Sequence, residues 1–259
     1  MNHNPVKSAI RQFGLPRIII VGFFIFLVIA AGGFQMNLMQ LLSDCVRRWG
    51  MFGILTLAMV PAVQCGIGLN FGISMGIVGG LLGGLIVIEL DVARIPALVA
   101  VGPMFGMWVS VLVAILIGVV LATGIGYLYG LLLNQVKGSE MTVTTYVGFS
   151  IIAFMNMLWM LLPFQNGELK WPNAGKGLRN TISLSTSFSG VMNDTLSFKI
   201  GNFTVPTGLL LFMFFMCLLV WLFMKSKTGM AMSAAGSNPM FAKAAGINVN
   251  RMRLVGTTL

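Results

Sequence analysis

The sequence predicts an all-α, polytopic transmembrane helix bundle of about six spans plus the beginning of a seventh, and three observations carry that prediction. Of the 259 residues, 57% are hydrophobic and only 8% are charged, whereas soluble domains have about 25% charged residues. The mean hydropathy is +0.93. The apolar residues form continuous runs near the roughly 20 residues that cross a bilayer, not the short alternating segments of a β-barrel.

Taken in order, the chain reads as one membrane-embedded unit over residues 1–259. Residues 1–16 form a polar N-terminus with Lys7 and Arg11, followed by Arg17. Ile18–Phe34 is a retained first span, because no small-residue cleavage site precedes a mature-looking segment. With its basic flank, the N-terminus is expected in the cytoplasm. Residues 35–50 read as a short amphipathic connector carrying Asp44, Arg47 and Arg48.

The second span runs from about Met51 to Gly66 with Pro61 inside it, and the third from Ile73 to Leu90. Between them, Gln64 to Gly72 is too short and too apolar for an ordinary loop. Its glycines allow either a tight hairpin with small-residue packing or a broken backbone covered by protein. Residues 91–103 connect to a long fourth span, Met104–Val136, which exceeds the bilayer thickness and must tilt or protrude. After the polar turn 137–140 comes the fifth span, Met141–Pro163. Residues 164–205 are polar-rich and read as an ordered external loop. The sixth span is Pro206–Met224, and a seventh begins at Leu254.

Residues 225–253 hold five basic side chains (Lys225, Lys227, Lys243, Arg251, Arg253) and no acidic one. Six spans after a cytoplasmic start return this loop to the cytoplasm, as the positive-inside rule requires. The net charge of +10 therefore reads as orientation and contact with anionic membrane lipids, not nucleic-acid binding. Cys45, Cys65 and Cys217 lack metal-like spacing, and His3 is the sole histidine. Catalytic, metal and resident-cofactor chemistry all lack material, and the expectation is none of each.

Within the loop, Asn238-Pro239 is a helix start with Asn as N-cap and Pro at the first position. Gly246 closes the short helix as a C-terminal cap. A sharply bounded helix between two spans offers side chains to a partner groove.

The stretch Lys227 to Arg251 resembles the cytoplasmic loop of permeases of ribose-type and branched-chain amino-acid-type ABC importers. Those loops read T-x-x-G, then A-x-G-x-N, then A-x-x-x-G-I-N-V-x-[RK]. Thr228, Gly236, Asn238, Ala242, Gly246, Ile247, Asn248, Val249 and Arg251 match. The fifth-span region ending in Asn166-Gly167 and the segment Ile200–Pro206 resemble the family more weakly. Family members continue for further spans, so the chain looks C-terminally truncated.

The resemblance implies that Gly236, Asn238, Ala242, Ala245, Gly246 and Asn248 belong to a coupling helix seated on an ATP-binding subunit. It also implies an extracytoplasmic solute-binding protein, a second permease subunit (identical or not), and residence in the bacterial inner membrane. No phosphate-binding Gly-x-x-x-x-Gly-Lys loop is present in the sequence, so ATP falls to the partner. Where sugar permeases carry G-G-I-D-L-S-x-G-S, this chain has Cys65-Gly-Ile-Gly-Leu-Asn-Phe-Gly-Ile, with Gly68 at the acidic position and Asn70 at the serine. A simple sugar such as ribose comes first as solute and a nucleoside second. A stand-alone secondary transporter would need charged coupling residues inside its spans, which hold almost none. Polar residues within spans are candidates to line a pathway; Gln64, Asn70 and Asn156 are the selection.

Overall fold

The computed structural model describes residues 15–34, 36–68, 72–166, 169, 188, 191, 196–201 and 203–259. The described residues are mostly helical, as expected, and among them six helices are long and apolar enough to cross a membrane. They are α1 (Leu15–Gly33), α2 (Leu38–Ala58) continued by α3 (Val60–Gln64), α4 (Ile73–Glu89), α6 (Pro103–Gln135), α7 (Glu140–Leu161) and α8 (Thr207–Lys225). A 3₁₀ turn (Val92–Arg94) and the short α5 (Pro96–Val99) lie between α4 and α6. Beyond α8 follow α9 (Lys227–Ser237), α10 (Pro239–Ala244) and α11 (Val249–Thr258).

The second span departs from expectation. Residues 38–50 are not a connector but the first half of α2, which starts under an Asn37 cap accepting from the Met39 and Gln40 N–H groups. Asp44 and Arg47 pair at 3.6 Å on its exposed side. The polar composition hid a helix whose propensity is ordinary and whose charges sit on one face. Met59 interrupts the run before Pro61, whose missing N–H fits the first turn of α3. The seventh helix likewise begins earlier than Leu254, at Val249.

Side-by-side contacts fix the directions of the spans. Gly50 of α2 lies against Leu209 and Gly53 against Met213, so α2 and α8 run parallel. Gly72 meets Tyr129, while Gly83 meets Gly118, so α4 and α6 run antiparallel. That α4–α6 seam is closely packed. A Cβ on Gly79 would lie 2.7 Å from Ala122 Cα, and one on Gly83 2.5 Å from the Gly118 nitrogen. In lipid no hydrophobic force draws helices together, so such small-residue contact supplies the van der Waals energy instead.

Two ends result. At one, the antiparallel hairpin β1 (Phe198–Ile200) and β2 (Phe203–Val205) sits on α2, with the Ser43 hydroxyl donating to the Thr204 carbonyl. There Glu89 accepts the Gln165 and Asn166 N–H groups at 2.7 and 3.2 Å, and Asp91 pairs with Arg94 at 3.8 Å. At the other end lie α9, α10 and α11. The apolar face of α1 is exposed nearly all round, as befits a helix bathed in lipid rather than water. The polar N-terminus lies outside the described residues, and so does most of the 164–205 loop apart from this hairpin.

Candidate functional site

The Asn238 side chain accepts the Phe241 N–H at 3.0 Å, and Pro239 occupies the first position of α10. Both parts of the sequence-derived helix start are therefore present. At its other end Gly246 has φ of +80°, a left-handed conformation that favours glycine, and the Gly246 N–H returns to the Lys243 carbonyl at 3.0 Å. Asn248 caps the following helix, accepting the Arg251 N–H at 3.1 Å. Three caps within one loop, counting Ser226 on the Gly229 N–H, give it a fixed shape.

The sequence missed α9, because Lys227–Ser237 is rich in Ala, Gly and Ser and shows little apolar periodicity. That composition now has a reason. Ala235, Ala242 and Val249 pack together, with Ala242 fully buried, so small side chains let three short helices close on one another. Ala242 holds the loop together, whereas Ala245 and Gly246 are exposed. Large side chains turned outward include Met240 and Phe241 of α10, 79% and 68% exposed. Lys243 and residues Gly246–Asn250 line a shallow hollow beside them. Nothing in the small-residue pattern of the loop singles out these two apolar side chains.

The loop is seated on the break between α3 and α4. The helix stops at Gln64 and restarts at Ile73, with Gly66 and Gly68 at φ of +78° and +82°. Left-handed glycines and close backbone packing, which the two readings of this stretch invoked separately, occur in it together. Gly236 is in backbone contact with this break: a Cβ there would collide with the Gln64 carbonyl and lie 2.7 Å from the Gly66 nitrogen. Ser233 donates to the Gln64 side chain at 3.3 Å. Cys65 donates to the Met252 carbonyl at 3.2 Å, and Gly256 rests on Cys65, Met232 and the Pro61 carbonyl. Below them Cys65, Ile67, Met75, Tyr129, Leu133 and Met232 form one buried cluster drawn from the break, α4, α6 and α9. Cys65 and Ile67 are thus buried in protein, while Gln64, Gly66 and Gly68 between and beside them are exposed.

Of the three pathway candidates, Gln64 is exposed at this joint and touches the loop. Asn156 is exposed on α7, beside the buried Met155. Asn70 lies outside the described residues. So Gly236 and Gln64, chosen for different roles, meet, while Asn156 stands well along α7. A cavity of about 100 Å³ adjoins the joint, lined by Met59, Gly72, Gly76, Gly126, Tyr129 and Thr257 among others. The described residues contain no group of three or more His, Cys, Asp or Glu side chains placed to hold a metal.

A many-span helical protein with a capped loop seated on a broken helix has the build of a membrane transport component. A family model described as branched-chain amino acid transport system / permease component matches residues 41–259, and the chain belongs to that family. It is thereby a multi-pass permease of the ABC-importer kind that handles branched-chain amino acids or simple sugars. Comparison with curated proteins and with solved structures gives no match.

Proposed function

We propose that the chain forms one wall of the translocation pathway for a small polar solute, a simple sugar such as ribose first, and that α9–α10 is the coupling helix pair seated on a separate ATP-binding subunit. The observation that carries this is the contact between Gly236 and the Gln64–Gly66 break. A displacement of the loop by a partner cannot leave the break unmoved, because backbone lies on backbone with no side chain to absorb the shift. Partner-driven alternation between two arrangements of the break is then the transport step.

Met240 and Phe241 are apolar anchors, and the loop that carries them also holds Lys227, Lys243 and Arg251. The partner groove is accordingly apolar at its centre and acidic at its edge. On this reading the loop faces the cytoplasm of a bacterial inner membrane and the β1–β2 hairpin lies outside, where a solute-binding protein would dock. The 100 Å³ cavity falls below the roughly 300–1,000 Å³ of small-molecule sites. A second permease subunit, by facing this one, would complete the chamber.

Reconstitution tests the reading. The chain, its ATP-binding subunit and binding protein are placed in proteoliposomes and given labelled D-ribose, a nucleoside or L-leucine with ATP. ATP-dependent ribose uptake is the expected result; leucine or nucleoside uptake in its place would overturn the solute but keep the machine. Uptake that proceeds without the ATP-binding subunit would favour a secondary transporter instead.

A further inference from the structure

The start of α11 is tied to the α6–α7 turn by bonds that the coupling contact does not use. Lys137 Nζ donates to Asn250 Oδ1 at 2.6 Å, and Asn134 Nδ2 donates to the Asn250 carbonyl at 3.0 Å. Arg253 Nη2 donates to Glu140 Oε1 at 2.5 Å, while Glu140 Oε2 accepts the Gly138 N–H at 2.8 Å. The Arg253–Glu140 side chains are only 12% and 16% exposed. The Asp44–Arg47 and Asp91–Arg94 pairs are at least 41% exposed and link neighbours within a turn. Exposed pairs of that kind contribute little, whereas this mostly buried pair is screened less, and Glu140 lies in the first turn of α7, where the helix dipole favours a carboxylate.

Its placement matters as much as its strength. One side of α11 carries Gly256, which rests on Met232 of α9 and on Pro61. Its other side carries Leu254 and Thr257, which fit against Gly130 and Gly126 of α6. Those small-residue contacts set how closely the helices approach, and the directional bonds add a fixed point that joins α11 to the α6–α7 turn. We infer that Glu140, Arg253, Lys137 and Asn250 form a clamp that makes the α6–α7 hairpin move as one body with the coupling loop. This deepens, and rests on, the coupling reading above. Glu140 and Arg253 are positioning residues, carrying the loop's displacement into α7. Asn156 lies 16 residues beyond Glu140, about 24 Å along the helix axis, so a tilt of about 10° at the base shifts it by roughly 4 Å.

The test is a pair of spin labels at Met230→Cys on α9 and Tyr146→Cys on α7, both exposed sites, with Cys45 and Cys217 changed to serine. Distances are read in nanodiscs, with the ATP-binding subunit, before and after addition of ATP and vanadate. The clamp keeps one distribution through both states. Glu140→Gln and Arg253→Gln each broaden it, roughly doubling its width, and the double variant is no broader than either single one. If Glu140→Gln fails to insert, Lys137→Met, which removes only the exposed limb, reads the same shift in smaller degree. A native-like distribution in all the variants that insert overturns the clamp. In proteoliposomes, ATP spent per D-ribose taken up rises about tenfold in Arg253→Gln, the cost of losing a coupling in the usual allosteric range; an unchanged ratio also counts against it. A native chain that recruits no ATPase sinks the coupling reading instead, and the label distances in the chain alone still decide the clamp.

Discussion

Among the described residues, two of the places where backbone lies on backbone are built for different ends. The α4–α6 seam repeats its contact: Gly79 on Ala122, then Gly83 on Gly118 and Ala114, along adjacent turns of two long helices. The α9 joint makes its contact once, at Gly236, and surrounds it with hydrogen bonds from Ser233 and Cys65. A repeated contact resists rotation and sliding together. A single contact beside a helix break resists compression but leaves an axis to turn about. The seam is scaffold and the joint is a pivot, although glycine makes both.

The comparison breaks most completely at the seam. Gly83→Leu places a side chain where even a Cβ would be 2.5 Å from backbone. Overpacking of this kind costs about 3 kcal/mol or more, since neither helix axis can yield locally. The expected outcome is loss of the monodisperse peak in detergent size-exclusion chromatography; a native-like elution would show that the helices separate easily and that the seam is no scaffold. Gly236→Val is next. The clash with Gln64 and Gly66 is just as severe, but α9 can lift off the break. Insertion and elution should persist while ATP-driven uptake falls about 100-fold, the equivalent of roughly 3 kcal/mol of lost coupling. Loss of insertion would instead make the joint part of the scaffold.

The difference between the two regions also explains what could be read in advance. The seam belongs to long apolar runs, and their number and order follow from hydropathy alone because a bilayer leaves few alternatives. That the chain leaves helix between Gln64 and Ile73, as a hairpin or as a break, was legible because glycines crowd a stretch too short for a loop. Asn238, Pro239 and Gly246 were legible because capping is local chemistry. Position in space was not. Nothing in the spacing of Gln64 and Gly236 says that they touch across 172 residues. Nor could Glu140, seen as part of a polar turn, be matched to Arg253 among the sixteen basic residues. Residues 38–50 failed for a related reason: three charges suggested water, but a helix can carry them on one face.

Two smaller effects sharpen the pivot. Ala242→Glu puts a carboxylate into the fully buried contact with Ala235 and Val249, where no cation faces it. The three short helices should separate, so that the ATP-binding subunit no longer co-purifies although the spans still insert. Retained co-purification would mean that the loop binds without its fold. Asn238→Ala removes one cap, worth about 1 kcal/mol. Partner affinity should then fall about fivefold, read by titration of the subunit onto the reconstituted chain.

The mildest change separates pivot from pathway. Gln64 holds Ser233 through one exposed hydrogen bond of 3.3 Å, which contributes at most about 1 kcal/mol. Gln64→Leu removes that bond, and Ser233→Ala removes it from the other side while leaving the Gln64 amide in place. If Gln64 serves only the joint, the two variants lower uptake by the same few-fold factor and leave KM for D-ribose unchanged. If it also meets the solute, Gln64→Leu alone raises KM, because a polar group lost from a binding wall weakens ground-state contact. Asn156→Leu supplies the reference: it lies away from the loop on an exposed face of α7, so any change it makes in KM cannot pass through Ser233. A rise in KM for Asn156→Leu with none for Gln64→Leu would assign the pathway to the α7 face and leave Gln64 wholly to the pivot.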